Sequence, residues 1–285
     1  MGRTKFGYSK NRRLAKRDSL KKKLSNLDLV IFDLDGTLID SNGAHNCLDI
    51  ELVRSLGDNR SSNEILQERD EFIKNNSTGD IYLNYCEYLK TRYNSVLSGK
   101  EILQLRRDLS QKFSRDIKYK ANADKLIKYL KKQNIKLALA TVSRRETIDI
   151  YITENENIKN KCNIKDYFDL IVAKDDVKFK KPNPEIYNKI IENFKIDDLS
   201  KCVVVEDSLT GVLAAKNANL DVIVVYDKYS DKDREKIKEL ADYTVLNHKE
   251  LIDLFKESMK EWKIKNSNQH SSRYWMLTRI IMSVW

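Results

Sequence analysis

The chain has few of the residues that interrupt or crosslink a fold, since only two of its 285 residues are proline and four are cysteine. Cys47, Cys86, Cys162 and Cys202 form no Cys-x-x-Cys pair, so their spacing does not suit a zinc site. We expect reduced thiols and a cytoplasmic protein. No apolar run is long enough to span a bilayer. The amino-terminal segment also lacks the apolar stretch of a secretory signal.

Positive charge is concentrated at the two ends. Residues 1–27 hold ten Lys and Arg against one Asp, and residues 258–285 hold five against one Glu. Because the whole chain carries +10, the residues between these ends carry −3. A nucleic-acid-binding domain spreads basic residues over a folded face, so we expect no stable nucleic-acid complex. We interpret residues 1–27 as a solvated basic extension, with an organellar transit peptide or weak contacts with RNA or anionic membrane as alternatives.

Six short apolar runs rich in β-branched residues recur along the chain, separated by segments of helical periodicity. The runs are continuous, which is typical of strands covered on both faces. We predict an α/β fold, with a Rossmann-like, mostly parallel sheet and helices on both faces. The predicted strands are Leu29–Phe32, Ile135–Ala140, Leu170–Val172, Cys202–Val205, Val222–Val225 and Tyr243–Leu246. The predicted helices are Ala123–Gln133, Glu146–Glu154, Pro184–Phe194, Gly211–Asn217, Lys232–Leu240 and Lys249–Trp262.

Residues 44–119 interrupt this alternation and show helical periodicity only. We predict an α-helical cap, inserted after the first strand, over the catalytic end of the sheet. A helical extension with a packing role is the alternative. The core then comprises residues 28–43 and 120–257. Residues 258–285 form a tail whose apolar, aromatic end is either docked or an interfacial patch.

Asp33 and Asp35 follow the first predicted strand directly. Side chains two residues apart in an extended segment point to the same side, so the two carboxylates converge. Like charges this close resist ionisation unless a cation lies between them. A hard divalent ion fits, and Mg²⁺ is the usual ion beside phosphate. An Asp-Gly surface turn is the alternative interpretation.

Polar residues also follow three other predicted segments. Thr141 and Ser143 offer hydroxyl groups after the second strand. Lys181 precedes both prolines of the chain, which favour an extended backbone at the lysine and then a helix start. A lysine held in this way suits a phosphoryl group. The pair Glu206 and Asp207 ends the fourth strand.

In this order, Asp-x-Asp-Gly-Thr, a strand-end Thr, Lys-Pro-x-Pro and Glu-Asp-Ser make residues 28–255 resemble the haloacid dehalogenase superfamily of phosphotransferases. The segments around 166–169 and 206–216 are similar to the subgroup that contains β-phosphoglucomutase and small-metabolite phosphatases. Superfamily dehalogenases lack a carboxylate at the position of Asp35. The resemblance therefore implies phosphoryl transfer, with a small phosphorylated metabolite as substrate.

The resemblance implies a role for each catalytic position. Asp33 is the nucleophile that forms an aspartyl-phosphate, and Asp35 is the general acid and then the base. Thr141 holds a phosphoryl oxygen, with Ser143 as a further substrate-binding residue. Lys181 offsets negative charge on the nucleophile and the phosphoryl group.

The same resemblance implies the metal site. Mg²⁺ is ligated by Asp33, by the backbone carbonyl of Asp35 and by Asp207, and Glu206 assists directly or through water. His45, near the cap hinge, either orients substrate or is an ordinary helix-start residue. His248 is assigned no role.

Two positions depart from the superfamily pattern. Lys180 stands where a small residue is usual, and we interpret it as solvated, with binding of a second anionic group as the alternative. Asn219 replaces a common glycine, which is harmless if asparagine adopts a left-handed backbone there.

We therefore predict a Mg²⁺-dependent phosphatase, which we expect to be a monomer. A phosphomutase of the β-phosphoglucomutase type is the alternative, because the outcome depends on how well the cap excludes water. An alternative of another class is a protein that binds nucleic acid or membrane through its basic amino-terminal segment.

Overall fold

The computed structural model describes residues 17–76 and 79–261. Six parallel strands form one sheet in the order β3-β2-β1-β4-β5-β6. The strands are β1 (Leu29–Phe32), β2 (Lys136–Ala140), β3 (Leu170–Val172), β4 (Cys202–Glu206), β5 (Asp221–Val225) and β6 (Tyr243–Val245). The predicted α/β fold with a parallel sheet is confirmed.

Helices connect these strands. Between β1 and β2 lie α1 (Ser41–Ser55), α2 (Ser62–Asn75), α3 (Ile81–Arg92), α4 (Gly99–Ser114) and α5 (Ala123–Lys132). After β2 lie α6 (Arg145–Thr153), α7 (Glu156–Cys162), α8 (Ile164–Tyr167), α9 (Glu185–Phe194), α10 (Leu209–Asn217) and α11 (Arg234–Leu240). Residues 17–24 and 248–261 are also helical, and we call them the amino-terminal and carboxy-terminal helices.

Both faces of the sheet are covered, which explains the continuous apolar strands. Val30 and Phe32 of β1 belong to a buried cluster with the terminal helices and α5 to α7. Leu29 and Ile31 point the other way, into a cluster with α9, α10 and α11. Because successive strand side chains alternate between faces, a strand covered on both sides is apolar at every position.

The helical insert after β1 has its own core, built from α1 to α4. Reciprocal capping boxes start two of its helices, Ser61 with Glu64 before α2 and Ser98 with Glu101 before α4. Such caps satisfy backbone N–H groups that a helix start leaves unpaired. The predicted helical insert after β1 is therefore present, and we call α1 to α4 the cap.

The amino-terminal helix contradicts the prediction of a solvated basic extension for residues 17–24. Leu20 and Leu24 of this helix are buried in the core. Lys21 pairs with Glu257 and Glu261 of the carboxy-terminal helix, and Lys23 pairs with Asp221. Leucines four residues apart, with basic residues between them, therefore make one amphipathic helix, whose paired basic groups are less available to nucleic acid. Residues 1–16 lie outside the described residues.

Replacing Leu24 by alanine tests this packing. Leu24 is fully buried, so we expect the substitution to lower the free energy of unfolding by roughly 2–5 kcal/mol. The control is Leu246→Ala, because the Leu246 side chain is 73% exposed and a change there should cost less than about 0.5 kcal/mol. Equal urea midpoints for the two variants would show that residues 17–24 do not contribute to the core.

The remaining sequence predictions concern membrane spans, the cysteines, the aromatic tail and the state of the whole protein. No helix within the described residues is long and apolar enough to cross a membrane. Cys47, Cys86, Cys162 and Cys202 are free thiols. The aromatic tail lies outside the described residues, and the domain boundaries, the monomeric state and the localisation stay predictions.

Candidate active site

Three neighbouring strands bring the predicted acidic and hydroxyl residues to one edge of the sheet. Asp33 follows β1, Thr141 follows β2, Glu206 ends β4 and Asp207 follows it. Because β1 lies between β2 and β4, the ends of these three strands are adjacent. Asp33, Thr141, Glu206 and Asp207 are all buried. Ligands of open α/β sheets bind at this carboxyl edge.

Lys181 joins these strand ends from a separate segment. Its Nζ donates to Asp33 Oδ1 at 2.7 Å, to Glu206 Oε1 at 2.6 Å and to the Ala140 carbonyl oxygen at 3.0 Å. Only 4% of the Lys181 side chain is exposed. One ammonium group therefore connects β1, β2 and β4. The adjacent Lys180 is exposed, as its interpretation as a solvated residue requires.

The charges in this cluster are not balanced. Burial, followed by the negative charge of Glu206, raises the pKa of Asp33 to about 7, although Lys181 acts in the opposite direction. Burial and the charges of Asp33 and Glu206 also raise the pKa of Asp207 well above its ordinary value. Burial alone would lower the pKa of Lys181, but Asp33 and Glu206 raise it. Three carboxylates thus face one ammonium group.

The cluster fits a divalent cation. One carboxylate oxygen from each of Asp33, Glu206 and Asp207 lies within 4.8 Å of the others. When ionised, the three carboxylates and Lys181 leave two negative charges, which one divalent ion neutralises. Asp207 Oδ2 has no hydrogen-bond partner among the described residues, so it is available as a hard oxygen ligand. Asp33 Oδ2 likewise has no partner among them, so Asp33 has a second oxygen besides the one that Lys181 holds.

Glu206 is placed differently from Asp33 and Asp207, because both its oxygens already accept hydrogen bonds. Oε1 accepts from Lys181 and from the Tyr187 hydroxyl at 2.9 Å. Oε2 accepts from the backbone N–H groups of Asp207 and Ser208 and from the Ser208 hydroxyl. These bonds favour Glu206 as the residue that holds Lys181, with a weaker case for direct metal ligation.

The start of α10 lies directly against Glu206, and this contact requires a glycine. A Cβ atom on Gly211 would lie 1.9 Å from the Glu206 Cδ and Oε1 atoms. Glu206 is fully buried and cannot move aside. Only a residue without a side chain therefore allows α10 to begin at this position.

Gly211→Ala is expected to lower turnover, because displacing Glu206 removes one partner of Lys181. The overlap should also cost roughly 1–3 kcal/mol of stability. The control is Gly99→Ala at the start of α4, where a Cβ would lie 2.2 Å from Glu87 Cδ, an exposed side chain that can rotate into solvent. Steady-state kinetics that show the same loss for both variants would contradict the assigned contact.

Asp35 lies beside this acidic cluster and has separate hydrogen-bond partners. Its Oδ2 accepts from the Thr141 hydroxyl at 2.9 Å and from the Ser143 hydroxyl at 2.7 Å. Its Oδ1 is buried and has no hydrogen-bond partner among the described residues. The structure thus brings Asp35, Thr141 and Ser143 together as predicted from the strand ends.

His45 lies in the first turns of α1, where the cap leaves the core. Burial lowers its pKa, the charge of Asp35 raises it and that of Arg106 lowers it. His45 is nevertheless exposed to solvent. It belongs to the first helix of the cap, and the charge of Asp35 acts on it.

A family model for haloacid dehalogenase-like hydrolases matches residues 30–225, which is more than half of the chain. The chain belongs to the haloacid dehalogenase-like hydrolase family. The matched segment contains every predicted catalytic and metal-binding residue and most of the sheet.

Curated members of this hydrolase family include phosphatases. The chain is 28% identical to a phosphorylated carbohydrates phosphatase of Thermotoga maritima over 234 residues, covering 81% of this chain and 99% of that protein. It is 31% identical to a bifunctional riboflavin kinase/FMN phosphatase of Arabidopsis thaliana, over 72% of this chain and 49% of that protein.

Solved structures of the hydrolase family share the fold. A family hydrolase from Deinococcus radiodurans with bound phosphate and sodium superposes with a TM-score of 0.61 at 20% identity, covering 82% of this chain and 97% of that chain. A β-phosphoglucomutase from Clostridium difficile gives a TM-score of 0.56 at 20% identity, covering 84% of this chain and 99% of that chain. At this identity the likeness concerns the fold alone.

Several residues that support this hydrolase site were missed in the sequence. Thr37 donates its hydroxyl to Asp207 Oδ1 at 2.9 Å. Gly36 has a φ of 83°, and a Cβ there would lie 2.4 Å from Asp207 Oδ2. Lys120 donates to the Gly36 carbonyl oxygen and to buried Asp227. In the sequence, the Asp-Gly-Thr motif was the signal that pointed to Gly36 and Thr37. No motif pointed to Lys120 or Asp227.

His248, which received no role, lies behind the same loop. It is 2% exposed, at the start of the carboxy-terminal helix, and it hydrogen-bonds the backbone of Thr37. Burial lowers its pKa to about 4, so the imidazole is neutral at pH 7. A neutral imidazole adds no charge behind Asp207.

A cavity of about 1020 Å³ lies beside the catalytic cluster of the hydrolase. Residues of β5, β6, α11 and the segments that connect them form most of its wall, and it reaches the acidic cluster only at Asp207. We therefore do not identify it with the space around Asp33 and Asp35.

Proposed function

We propose that this protein is a Mg²⁺-dependent phosphatase that hydrolyses a small phosphorylated metabolite, such as a sugar phosphate, through an aspartyl-phosphate intermediate. The observation that carries the proposal is the state of Asp33. Lys181 holds Oδ1 at 2.7 Å, while Oδ2 has no partner among the described residues. A fixed carboxylate with one unengaged oxygen is suited to in-line attack.

In the first step Asp33 Oδ2 attacks phosphorus, and the bond from phosphorus to the ester oxygen breaks. Asp35, in its protonated form, gives its proton to the leaving alkoxide. Thr141 and Ser143 place Asp35 and offer hydroxyl donors beside the phosphoryl group. Lys181 offsets the negative charge that Asp33 brings to the phosphoryl group.

In the second step a water molecule attacks the phosphorus of the aspartyl-phosphate. Asp35, now ionised, takes a proton from this water, and Asp33 leaves as a carboxylate. The products are inorganic phosphate and an alcohol, and both catalytic carboxyl groups return to their starting states. Dividing one displacement into two makes each step easier.

Mg²⁺, held by Asp33, Asp207 and the Asp35 backbone carbonyl, would supply fixed positive charge beside the phosphoryl group. Glu206 would act mainly through Lys181, since its oxygens are already occupied. The cap would exclude bulk water from the cleft.

The named relatives support the substrate class. The Thermotoga maritima relative, which this chain matches over nearly its whole length, is a phosphatase of phosphorylated carbohydrates. The Arabidopsis thaliana relative has FMN phosphatase activity in its name.

Phosphate release from a metabolite panel tests the proposal. The purified full-length chain is incubated with sugar phosphates, phosphorylated short-chain acids and a generic aryl phosphate, with Mg²⁺ or with EDTA. We expect release in Mg²⁺ and none in EDTA. The absence of release from every compound in the presence of Mg²⁺ would reject the proposal.

One observation favours a phosphomutase as the second candidate. His45 lies on the first cap helix, where the charge of Asp35 acts on it, and it would orient a sugar hydroxyl in competition with water. Conversion of β-glucose 1-phosphate to the 6-phosphate without net phosphate release would favour this alternative. Release of one phosphate for each substrate consumed would exclude it for that substrate.

A further inference from the structure

The cap contains a buried group of charges that the proposed reaction does not use. Asp49 of α1 is 2% exposed and lies between two arginines. Its Oδ1 accepts from Arg106 Nε, and its Oδ2 accepts from Arg69 Nη1, both at 2.9 Å. One carboxylate here faces two guanidinium groups that come from two other helices, α2 and α4. The side chains of Arg69 and Arg106 are only 12% and 13% exposed.

The two arginines are not equivalent. Arg69 is satisfied by Asn46, Asp49 and Asp70, which together engage Nε and both terminal nitrogens. Arg106 uses Nε alone, and its Nη1 and Nη2 have no acceptor within the described ranges. The Tyr82 ring stacks on the Arg106 guanidinium at 3.9 Å and holds its plane. Arg106 therefore presents a fixed edge of unused N–H donors.

Arg106 lies on the side of the cap that is near the proposed catalytic residues. Its partner Asp49 is four residues after His45, so the two share one face of α1. Further along α4, Gln111 bonds Glu146 at 2.6 Å, at the start of α6, which follows Ser143 closely in the chain. The electrostatic environment of His45 agrees with this placement, because the charges of both Asp35 and Arg106 act on its pKa.

We propose that Arg106 binds a second anionic group on the leaving portion of the substrate, so that the preferred substrates are phosphorylated metabolites with a carboxylate or a further phosphate. This inference rests on the proposed phosphatase function. A planar guanidinium group with two unused terminal nitrogens matches either anion bidentately. Asp49 and Tyr82 orient Arg106 in advance, which reduces the entropy lost on binding.

Paired substrates test the proposal, because the members of each pair differ in one anionic group. The carboxylate arm compares 6-phosphogluconate with sorbitol 6-phosphate, and the phosphate arm compares fructose 1,6-bisphosphate with fructose 6-phosphate. For the wild-type chain we expect kcat/KM to favour the doubly anionic member in at least one arm by about 10- to 100-fold, the range of a charge-assisted hydrogen bond. The arm that shows the preference identifies the anion.

Arg106→Met should reduce this preference to within about twofold, mainly by raising KM for the doubly anionic member, whereas Arg106→Lys should retain part of it. The matched control is Arg107→Met, because Arg107 is the exposed neighbour on the same helix and its loss should leave both members unchanged. Thermal melting of each variant shows whether the cap has folded. If Arg106→Met does not fold, the substrate preference of Arg106→Lys tests the proposal.

The outcomes separate the two proposals. If the wild-type chain hydrolyses both members of each pair equally, or if Arg106→Met and Arg106→Lys keep the wild-type preference, the inference is wrong and the phosphatase function stands. If no member of any pair releases phosphate but other compounds of the metabolite panel do, the inference is wrong and the phosphatase function stands. If no compound of the panel or of the pairs releases phosphate, the proposed function fails, and the inference fails with it.

Discussion

Asp33→Asn should abolish turnover while leaving a folded protein. The asparagine side chain has the shape of the aspartate but its amide oxygen is not a nucleophile, so no aspartyl-phosphate forms. We expect phosphate release to fall by about 10³-fold or more, as for other single nucleophile losses. Initial rates in saturating Mg²⁺ measure this change.

Asp33→Asn should also change how the melting temperature depends on pH, and a cooperative melting transition shows that the variant is folded. Burial and Glu206 raise the pKa of Asp33 to about 7, so the protonated form stabilises the metal-free protein and this stabilisation is lost as pH rises through that value. Asparagine does not ionise. In EDTA the melting temperature of Asp33→Asn should therefore exceed that of the wild type at pH 8, with a smaller difference at pH 6.

Asp28→Asn is the matched control, because Asp28 lies just before β1, at the opposite end from Asp33, and its side chain is 56% exposed. It should retain wild-type turnover and show no such pH-dependent difference. Retention of activity by Asp33→Asn, with Asp28→Asn unchanged, would remove Asp33 from the role of nucleophile.

Lys181→Met is expected to have the second large effect. It removes the ammonium group that pairs with Asp33 and Glu206, both buried, and uncompensated buried charges cost roughly 3–5 kcal/mol. Turnover should fall by about 10²-fold or more, because a fixed positive charge at the phosphoryl group is lost. Mg²⁺ should raise the melting temperature of the variant more than that of the wild type, since the ion then neutralises a larger charge.

The neighbouring lysine gives the control for this change. Lys180 is exposed, and Lys180→Met makes the same chemical replacement one residue earlier without touching the cluster. We expect wild-type kinetics and stability within about 0.5 kcal/mol. Similar losses of turnover in both variants would mean that any positive charge in this segment suffices, and that the contacts of Lys181 with Asp33 and Glu206 are not needed.

Much of the sheet could be predicted because strands covered on both faces leave a strong pattern. The predicted runs Leu29–Phe32 and Leu170–Val172 match β1 and β3 at both ends, and the remaining strands differ by one residue at one end. The first residues of the helices were predicted less accurately. Pro184 was predicted to begin α9, whereas it is the residue just before the helix, since helix ends depend on local capping. Asn219 has a φ of 57°, as its replacement of glycine requires.

The amino-terminal helix shows why composition misled. Ten basic residues in 1–27 suggested a solvated segment, yet Leu20, Leu24 and Leu27 are buried. Net charge describes a surface, whereas folding depends on which face of a helix is apolar. The acidic partners of the described basic residues lie about 200 residues away or more and could not be paired from sequence.

The sequence by itself determined the residues that meet at the catalytic edge, because parallel strands covered on both faces must end together and Asp33, Thr141, Glu206 and Asp207 are placed at those ends. Only the tertiary structure decided which of these residues have free carboxylate oxygens and which are held by hydrogen bonds. Whether a carboxylate oxygen is occupied or unengaged depends on distant donors, as Glu206 is occupied by Lys181 and Tyr187. The unused edge of Arg106 was equally invisible in the sequence, since it depends on Asp49 and Tyr82, which two other helices of the cap bring to it.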